Sequence, residues 1–199
     1  MFVDVDRLQQ RVRELGAEIV RDGPDDVLLV TLLNGGLWFM SDLARRLTPD
    51  VEVDFLRLSP YPTGENPPGS ARIVKDLDRP VGGRHVLIVE DVIDTGLSLA
   101  FLMRRLEASE PASIRVCTLL DRTPQRIADL PIAYRGFEID KEYLVGYGLD
   151  VFGYYRNLPA LIAIEDLDAL RSDPLKLVDE LVEEGIWDRF ATSEAGDSL

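Results

Sequence analysis

The chain has 199 residues, 46% of them hydrophobic and 29% charged, an ordinary globular composition with enough apolar mass for one full core and an addition. A formal net charge of −14 argues against a phosphate-backbone partner, so no nucleic acid is expected. No apolar run reaches the roughly 18 residues of a membrane helix, and the first residues lack signal-peptide features, so the expectation is a cytoplasmic protein with no membrane partner. One cysteine and one histidine exclude an intramolecular disulfide, a cysteine-based metal cluster and a multi-histidine metal site. Cys117 reads as a buried structural thiol and His85 as a surface residue rather than a catalyst.

In chain order, Leu8, Val12, Leu15 and Ile19 mark one face of a first helix. Val27–Leu33 is a continuous apolar run, the pattern of a strand buried on both faces, and Asn34-Gly35-Gly36 stops it. A helix is predicted over roughly Leu37–Leu47 and a strand over Val51–Leu58. The next segment, Ser59–Ala71, holds four prolines and two glycines and cannot be regular structure. Loops this long inside compact domains are lids or binding loops, although composition alone leaves a surface hairpin tip equally open. Ile73-Val74 begins a short returning strand. Val86–Val89 is a second buried run, with Glu90 and Asp91 where it ends and the turn Asp94-Thr95-Gly96-Leu97-Ser98 after it. From Ser98 the pattern is helical through Leu99, Leu102, Met103 and Leu106, and Ser113–Leu120 reads as another strand. Alternation of this kind predicts a doubly wound α/β fold, a mostly parallel sheet with helices on both faces and ligands at the carboxyl ends of its strands.

Beyond residue 164 the character changes. Residues 165–199 hold eleven acids and three bases. Asp173-Pro174 suits an N-cap and first helical position, and Leu175, Val178, Leu181 and Val182 form a stripe up to Gly185, with Trp187 and Phe190 following. The expected organisation is one domain over 1–164 and an acidic helical C-terminal appendage over 165–199, its helix packed on its own domain rather than on another subunit.

Four segments carry chemistry. The turn Asp94–Ser98 at a helix start aims backbone N–H groups and the positive helix end at one point, which suits a phosphate, and Thr95 and Ser98 add hydroxyls. The acidic pair Glu90-Asp91 beside it can hold sugar hydroxyls or a hard cation such as Mg²⁺. Gly35 and Gly36 allow a close backbone approach that side chains forbid, although taken alone they are better explained by a tight strand-to-helix turn. Tyr143-Leu144-Val145-Gly146-Tyr147-Gly148-Leu149-Asp150, with Arg156 beyond, can stack on, read and anchor a planar heterocycle, while a core role stays open for Tyr147.

Val86–Ser98 as a whole resembles the ribose-phosphate signature of the type I phosphoribosyltransferases, and the chain from about Val27 to Ile164 is most similar to the bacterial hypoxanthine (hypoxanthine–guanine) members. The resemblance implies an enzyme, a pentosyltransferase of purine salvage, with a small hood over the base site. It would move ribose 5-phosphate from phosphoribosyl pyrophosphate to a 6-oxopurine, hypoxanthine or also guanine, with Mg²⁺, as a homodimer or homotetramer. It implies that Asp94 is the catalytic base and that Glu90, Asp91, Asp94, Thr95, Gly96, Leu97, Ser98, Asn34, Gly35, Gly36 and Arg156 meet the donor. It further implies a non-proline cis peptide at Leu33–Asn34. Arg122, in Leu119-Leu120-Asp121-Arg122-Thr123-Pro124, would donate to the 6-oxo oxygen. Tyr143 would stack on the base, Leu144 would offer backbone groups and Asp150 would lie near the base or a second Mg²⁺. Ser59 and Tyr61 belong to the covering lid in 59–71, and the metal ligands would be Glu90, Asp91 and Asp150. The chain departs from the family pattern at Asn34, where many relatives have a basic residue, and at Arg122, where bacterial relatives commonly have lysine. Transfer to xanthine, adenine or a non-purine base stays open, as does a non-catalytic regulatory protein on the same fold.

Overall fold

The computed structural model describes residues 1–60, 71–183 and 185; Tyr61, Trp187 and Phe190 lie outside the described residues. The fold is α/β, and its contacts divide the chain into two units, Val12–Asp140 and Met1–Arg11 with Lys141–Leu199. Helix α1 (Val5–Asp22) begins in the second unit and continues into the first, and it buries Leu8, Val12, Leu15 and Ile19 as their spacing predicts. Among the described residues, no helix is long and apolar enough to cross a membrane.

The larger unit is built on β1 (Val27–Leu32), β2 (Glu52–Pro60), β3 (Ala71–Lys75), β4 (His85–Ile93), β5 (Ser113–Asp121) and β6 (Ile132–Glu138). They form a six-stranded sheet in the order β3-β2-β1-β4-β5-β6, parallel throughout except for the antiparallel β2–β3 pair. Val27, Leu28, Leu29 and Val30 are all buried, so both faces of β1 are covered, which is why this stretch reads as an unbroken apolar run. Leu28 and Val30 share a cluster with Ile88, Val116 and the inward side of helix α3 (Leu97–Glu107), namely Leu99, Leu102, Met103 and Leu106. Helix α2 (Leu37–Ala44) packs on β1 and β4 through Phe39, Met40 and Leu43.

Three readings of the sequence change. Strand β4 does not end at Val89: its ladder with β5 continues through Glu90↔Thr118, Val92↔Leu120 and Ile93↔Asp121, so the acidic pair lies inside the strand. Strand β6 escaped notice because Arg135, Gly136 and Glu138 break its apolar pattern; it exists because β5 offers a partner edge, and Gly136 backs onto the Leu119 carbonyl. The helix expected to start at Pro174 begins only at Val178, because Asp173 closes an earlier helix, α4 (Leu167–Ser172), whose N-cap Asp166 accepts from the Ala169 N–H at 2.9 Å. The stripe is then split, with Leu175 exposed in the turn before α5 (Val178–Glu183) and Leu181 its buried member.

The smaller unit pairs β7 (Tyr143–Val145) antiparallel with β8 (Ile162–Ile164), and Val3 bridges to Leu161. Its core joins Val5, Val145, Val151, Tyr155, Leu158, Ala160, Ile162, Leu170 and Leu181. The Tyr155 hydroxyl donates to the Pro174 carbonyl at 2.5 Å, which ties the turn after α4 to this core.

The connection from β3 to β4 is held by one buried carboxylate. Asp54 on β2 accepts from the N–H groups of Phe55 at 2.7 Å, Asp78 at 2.8 Å and Arg79 at 2.7 Å, and the Lys75 ammonium lies 3.7 Å away. Asp54→Ala strips all three amides of their acceptor and should destabilise the protein by about 2–4 kcal/mol, with Asp54→Asn costing less. Urea unfolding measures this, and an alanine variant as stable as wild type would show that the carboxylate does not hold the turn.

Candidate active site

The chain runs outward from β1 to β2 and β3, then returns to place β4, β5 and β6 on the other side of β1. The order therefore reverses between β1 and β4, the position at which open α/β sheets leave a crevice beyond their carboxyl ends. The two strands are in parallel register from Val27↔His85 to Thr31↔Val89, so the loops that leave them emerge side by side.

The loop after β1 contains the cis peptide Leu33–Asn34. Its two glycines are needed for space. A Cβ on Gly35 would lie 1.8 Å from the Asp91 carboxylate and one on Gly36 2.0 Å from the Thr31 hydroxyl. That hydroxyl, fully buried, donates to the Val89 carbonyl at 2.6 Å. Thr31 thus cross-links the two strands just below the loop, a role its position in an apolar run did not signal. Gly35 thus lies against Asp91, and Gly36 lies against Thr31 and the Val89 carbonyl.

Glu90 is 6% exposed, and its Oε1 has no hydrogen-bond partner among the described residues. Burial raises its carboxyl well above the ordinary value of 4.5, the neighbouring Asp91 charge pushes the same way, and the Leu32 N–H opposes them. Asp91 Oδ1 accepts from the Val92 N–H at 2.8 Å. Among the described residues no group of three or more His, Cys, Asp or Glu side chains converges. An acidic pair with an orphaned oxygen still fits a cation held by one or two carboxylates and completed by ligand oxygens and water, the usual habit of Mg²⁺.

Asp94-Thr95-Gly96 connects β4 to α3. Gly96 is the N-cap with φ of +80°, a left-handed conformation that glycine adopts freely, and no side chain caps the helix. A Cβ there would also lie 2.7 Å from Leu130 and 3.1 Å from the Arg126 stem. The first amides of α3 therefore stay available to an anion, with the helix dipole behind them. The Thr95 hydroxyl makes only a long contact with the Leu97 N–H, 3.5 Å.

Arg122, just past β5, reaches this turn. Its Nη1 lies 3.7 Å from Asp94 Oδ2, and its N–H donates to the Ile93 carbonyl at 2.9 Å. Asp121 beside it is buried at 1% exposure and pairs with both Arg126 and Arg135, the latter at 2.6 Å. Neither arginine stood out in the sequence, where only the isolated acid at the end of the apolar run Leu119-Leu120 hinted at them.

The remaining candidates belong to other elements. Ser59 is on β2, paired with Arg72 on β3. In the smaller unit, Tyr143 is 39% exposed at the start of β7, and its hydroxyl donates to the Asp150 carbonyl at 3.4 Å. Leu144 is buried opposite Ala163. Arg156 pairs with the Asp150 carboxylate at 2.7 Å and donates to the Gly148 carbonyl at 2.5 Å, so these two candidates hold each other. Tyr147, buried with φ of +48°, is a core residue. His85 is half-buried rather than at the surface, its Nδ1 2.9 Å from the Ser113 hydroxyl, and Cys117 is buried.

A family model described as a phosphoribosyl transferase domain matches residues 4–151. The chain belongs to that family. It is 44% identical over 165 residues to a hypoxanthine-guanine phosphoribosyltransferase of Mycobacterium avium, covering 79% of this chain and 81% of that protein. It is 40% identical over 164 residues to a hypoxanthine phosphoribosyltransferase of Escherichia coli, covering 81% and 92%. Among solved structures, a hypoxanthine-guanine phosphoribosyltransferase of Bacillus anthracis superposes with a TM-score of 0.78 at 36% identity, over 82% of this chain and 97% of the other. The mostly parallel, doubly wound α/β sheet expected from the strand–helix alternation is observed, and it is the type I phosphoribosyltransferase fold that the resemblance implies.

The buried acid makes a pH prediction for the cation-free protein. A carboxyl whose folded pKa is raised binds more protons folded than unfolded, so stability is fully present below the unfolded value and declines as pH rises toward the folded one. Glu90→Gln removes that loss while keeping an acceptor for the Leu32 N–H. Its thermal midpoint should exceed that of wild type near neutral pH, and the two should converge at about pH 4. A variant less stable by the same margin at both pH values would contradict the buried-charge account.

Proposed function

We propose that the protein is a Mg²⁺-dependent 6-oxopurine phosphoribosyltransferase of purine salvage, converting hypoxanthine or guanine and phosphoribosyl pyrophosphate to the nucleoside monophosphate and pyrophosphate. The observation that carries the reading is the 3.7 Å pairing of Arg122 with Asp94. A carboxylate acceptor and a guanidinium donor side by side match the edge of a free 6-oxopurine, whose N7–H donates and whose O6 accepts. Adenine offers an amino group where the oxo oxygen would be, and the guanidinium would face a donor in a closed site.

In this reading Asp94 takes the N7 proton as N9 forms its bond to C1′ and the C1′–oxygen bond to pyrophosphate breaks, the electron pair leaving with pyrophosphate. The amides of Thr95, Gly96, Leu97 and Ser98 hold the 5′-phosphate. The backbone of Asn34, Gly35 and Gly36, with Arg156, meets the pyrophosphate. Glu90 and Asp91 hold the ribose hydroxyls and the Mg²⁺ ion, with Asp150 the candidate for a second ion. Bound Mg²⁺ would neutralise charge on the departing pyrophosphate. Tyr143 is assigned to stacking on the base and the Leu144 backbone to its edge. Ser59 and Tyr61 are assigned to a lid that keeps water from the oxocarbenium-like ribosyl centre. Residues 1–164 carry this activity, and 165–199 form an acidic addition with no part in the chemistry. The relative from Trypanosoma cruzi, studied for the effect of its C-terminal region on oligomeric state and activity, suggests the same question here, and a homodimer or homotetramer is our expectation.

Two experiments test the reading. With phosphoribosyl pyrophosphate and Mg²⁺, hypoxanthine and guanine should react while adenine, orotate and uracil should not; equal rates on adenine and hypoxanthine would reject the role given to Arg122. Asp94→Asn should lower kcat by roughly 10²–10⁴-fold while changing the donor KM far less, because a lost general base is felt in the chemical step. Near-wild-type turnover of Asp94→Asn alongside an inactive Glu90→Gln would mean that the two acids have the opposite roles.

A further inference from the structure

The chemistry proposed above makes no use of Arg126, yet its side chain is only 15% exposed and lies against the catalytic turn. Three successive carbonyls of that turn are held by one segment, residues 122–128. The Ile93 carbonyl accepts from the Arg122 N–H at 2.9 Å, and the Thr95 carbonyl accepts from the Ile127 and Ala128 N–H groups at 3.0 and 3.1 Å. The middle carbonyl, that of Asp94, accepts from the Arg126 Nε at 3.3 Å. The same guanidinium extends its other arm to the buried Asp121 carboxylate. Its stem packs where a Cβ of Gly96 would be, 3.1 Å from that position.

With its carbonyls gripped from this side, the turn keeps its N–H groups for an anion. The grip on the ends is by backbone, whereas the grip on Asp94 is a single side chain. We infer that Arg126 is a positioning residue that sets the carboxylate of Asp94 and the amides of the phosphate-binding turn through the Asp94 carbonyl; this rests on the role given to the turn above. The planar fork of arginine spans a carbonyl and a carboxylate at once, and a lysine ammonium, a point charge, keeps the charge beside Asp121 without that span. The short helical turn Thr123–Gln125 within this segment separates Arg122 from Arg126, so one connection sets both the base-edge donor and the base catalyst.

The test uses the full chain with Arg126→Met and Arg126→Lys, and with Arg135→Met, which takes the other guanidinium from Asp121. kcat and KM for hypoxanthine, the dissociation constant for inosine monophosphate and the thermal midpoint are measured on each. Arg126→Met should lower kcat by about 10–100-fold, the scale of an ångström-level misplacement, and weaken nucleotide binding. Arg126→Lys should recover the thermal midpoint but not kcat. Arg135→Met should lose stability with kcat close to wild type. Wild-type kcat in Arg126→Lys would overturn the inference, as would equal kcat losses in Arg126→Met and Arg135→Met, since either means that Arg126 serves only to neutralise Asp121. A wild-type chain that binds the nucleotide but turns over no base would sink the transferase reading alone, and weaker nucleotide binding by Arg126→Met would still support the clamp.

Discussion

The parallel pairing of β1 with β4 is the contact on which the rest depends. It juxtaposes two loops that are far apart in sequence, one with glycines and the other following an acidic pair. The pairing is closed at its top by the buried Thr31 hydroxyl, which donates to the Val89 carbonyl. Glycine at 35 and 36 lets the first loop settle directly onto Thr31 and Asp91, where any side chain would collide. Both faces of these strands are buried, so a shift in register would expose apolar groups and misalign the loops at once. Packing and site geometry are thus one constraint.

The price of this arrangement is a carboxylate buried where water cannot reach it. Glu90 sits beside Asp91 with an oxygen that nothing among the described residues satisfies. Burial and like charge both favour its neutral form. In a protein with a net charge of −14, anionic substrates meet no favourable long-range field, so local donors must provide the attraction. The uncapped start of α3 is one such donor set, and the arginines around the end of β5 are another. The proposed cation would resolve both problems, by stabilising the ionised acids and giving the donor phosphates a positive partner.

On the far side of β4, the connection from β5 to β6 organises the second half of the site. It brings Arg122 to Asp94, buries Asp121 between two arginines and holds successive carbonyls of the turn before α3. A loop fixed so thoroughly is an unusual place for mobility. For the proposed roles of Asp94 and Arg122 it would supply the preorganisation that keeps their geometry ready before substrate arrives.

The sequence alone determined those features whose causes are local. Continuous apolar runs marked β1, β4 and β5 because strands covered on both faces have no polar side, and the three-and-four spacing of Leu99, Leu102, Met103 and Leu106 marked α3. The turn Asp94–Ser98 and the glycines at 35 and 36 were visible as residue types suited to anions and close approach. Tertiary structure decided the rest. Strand β6 has too many charged residues to announce itself and forms because β5 has an open edge. Glu90 and Asp91 lie within β4 because the partner ladder continues past the apolar run. The C-terminal stripe divides because capping at Asp166 and Asp173 outweighs its periodicity. The pairing of Arg122 with Asp94, of Arg156 with Asp150, and the clamp at Arg126 join residues whose spacing carries no signal. Such contacts exist only once the sheet order has been set, since register and crossover, not sequence separation, decide which side chains meet.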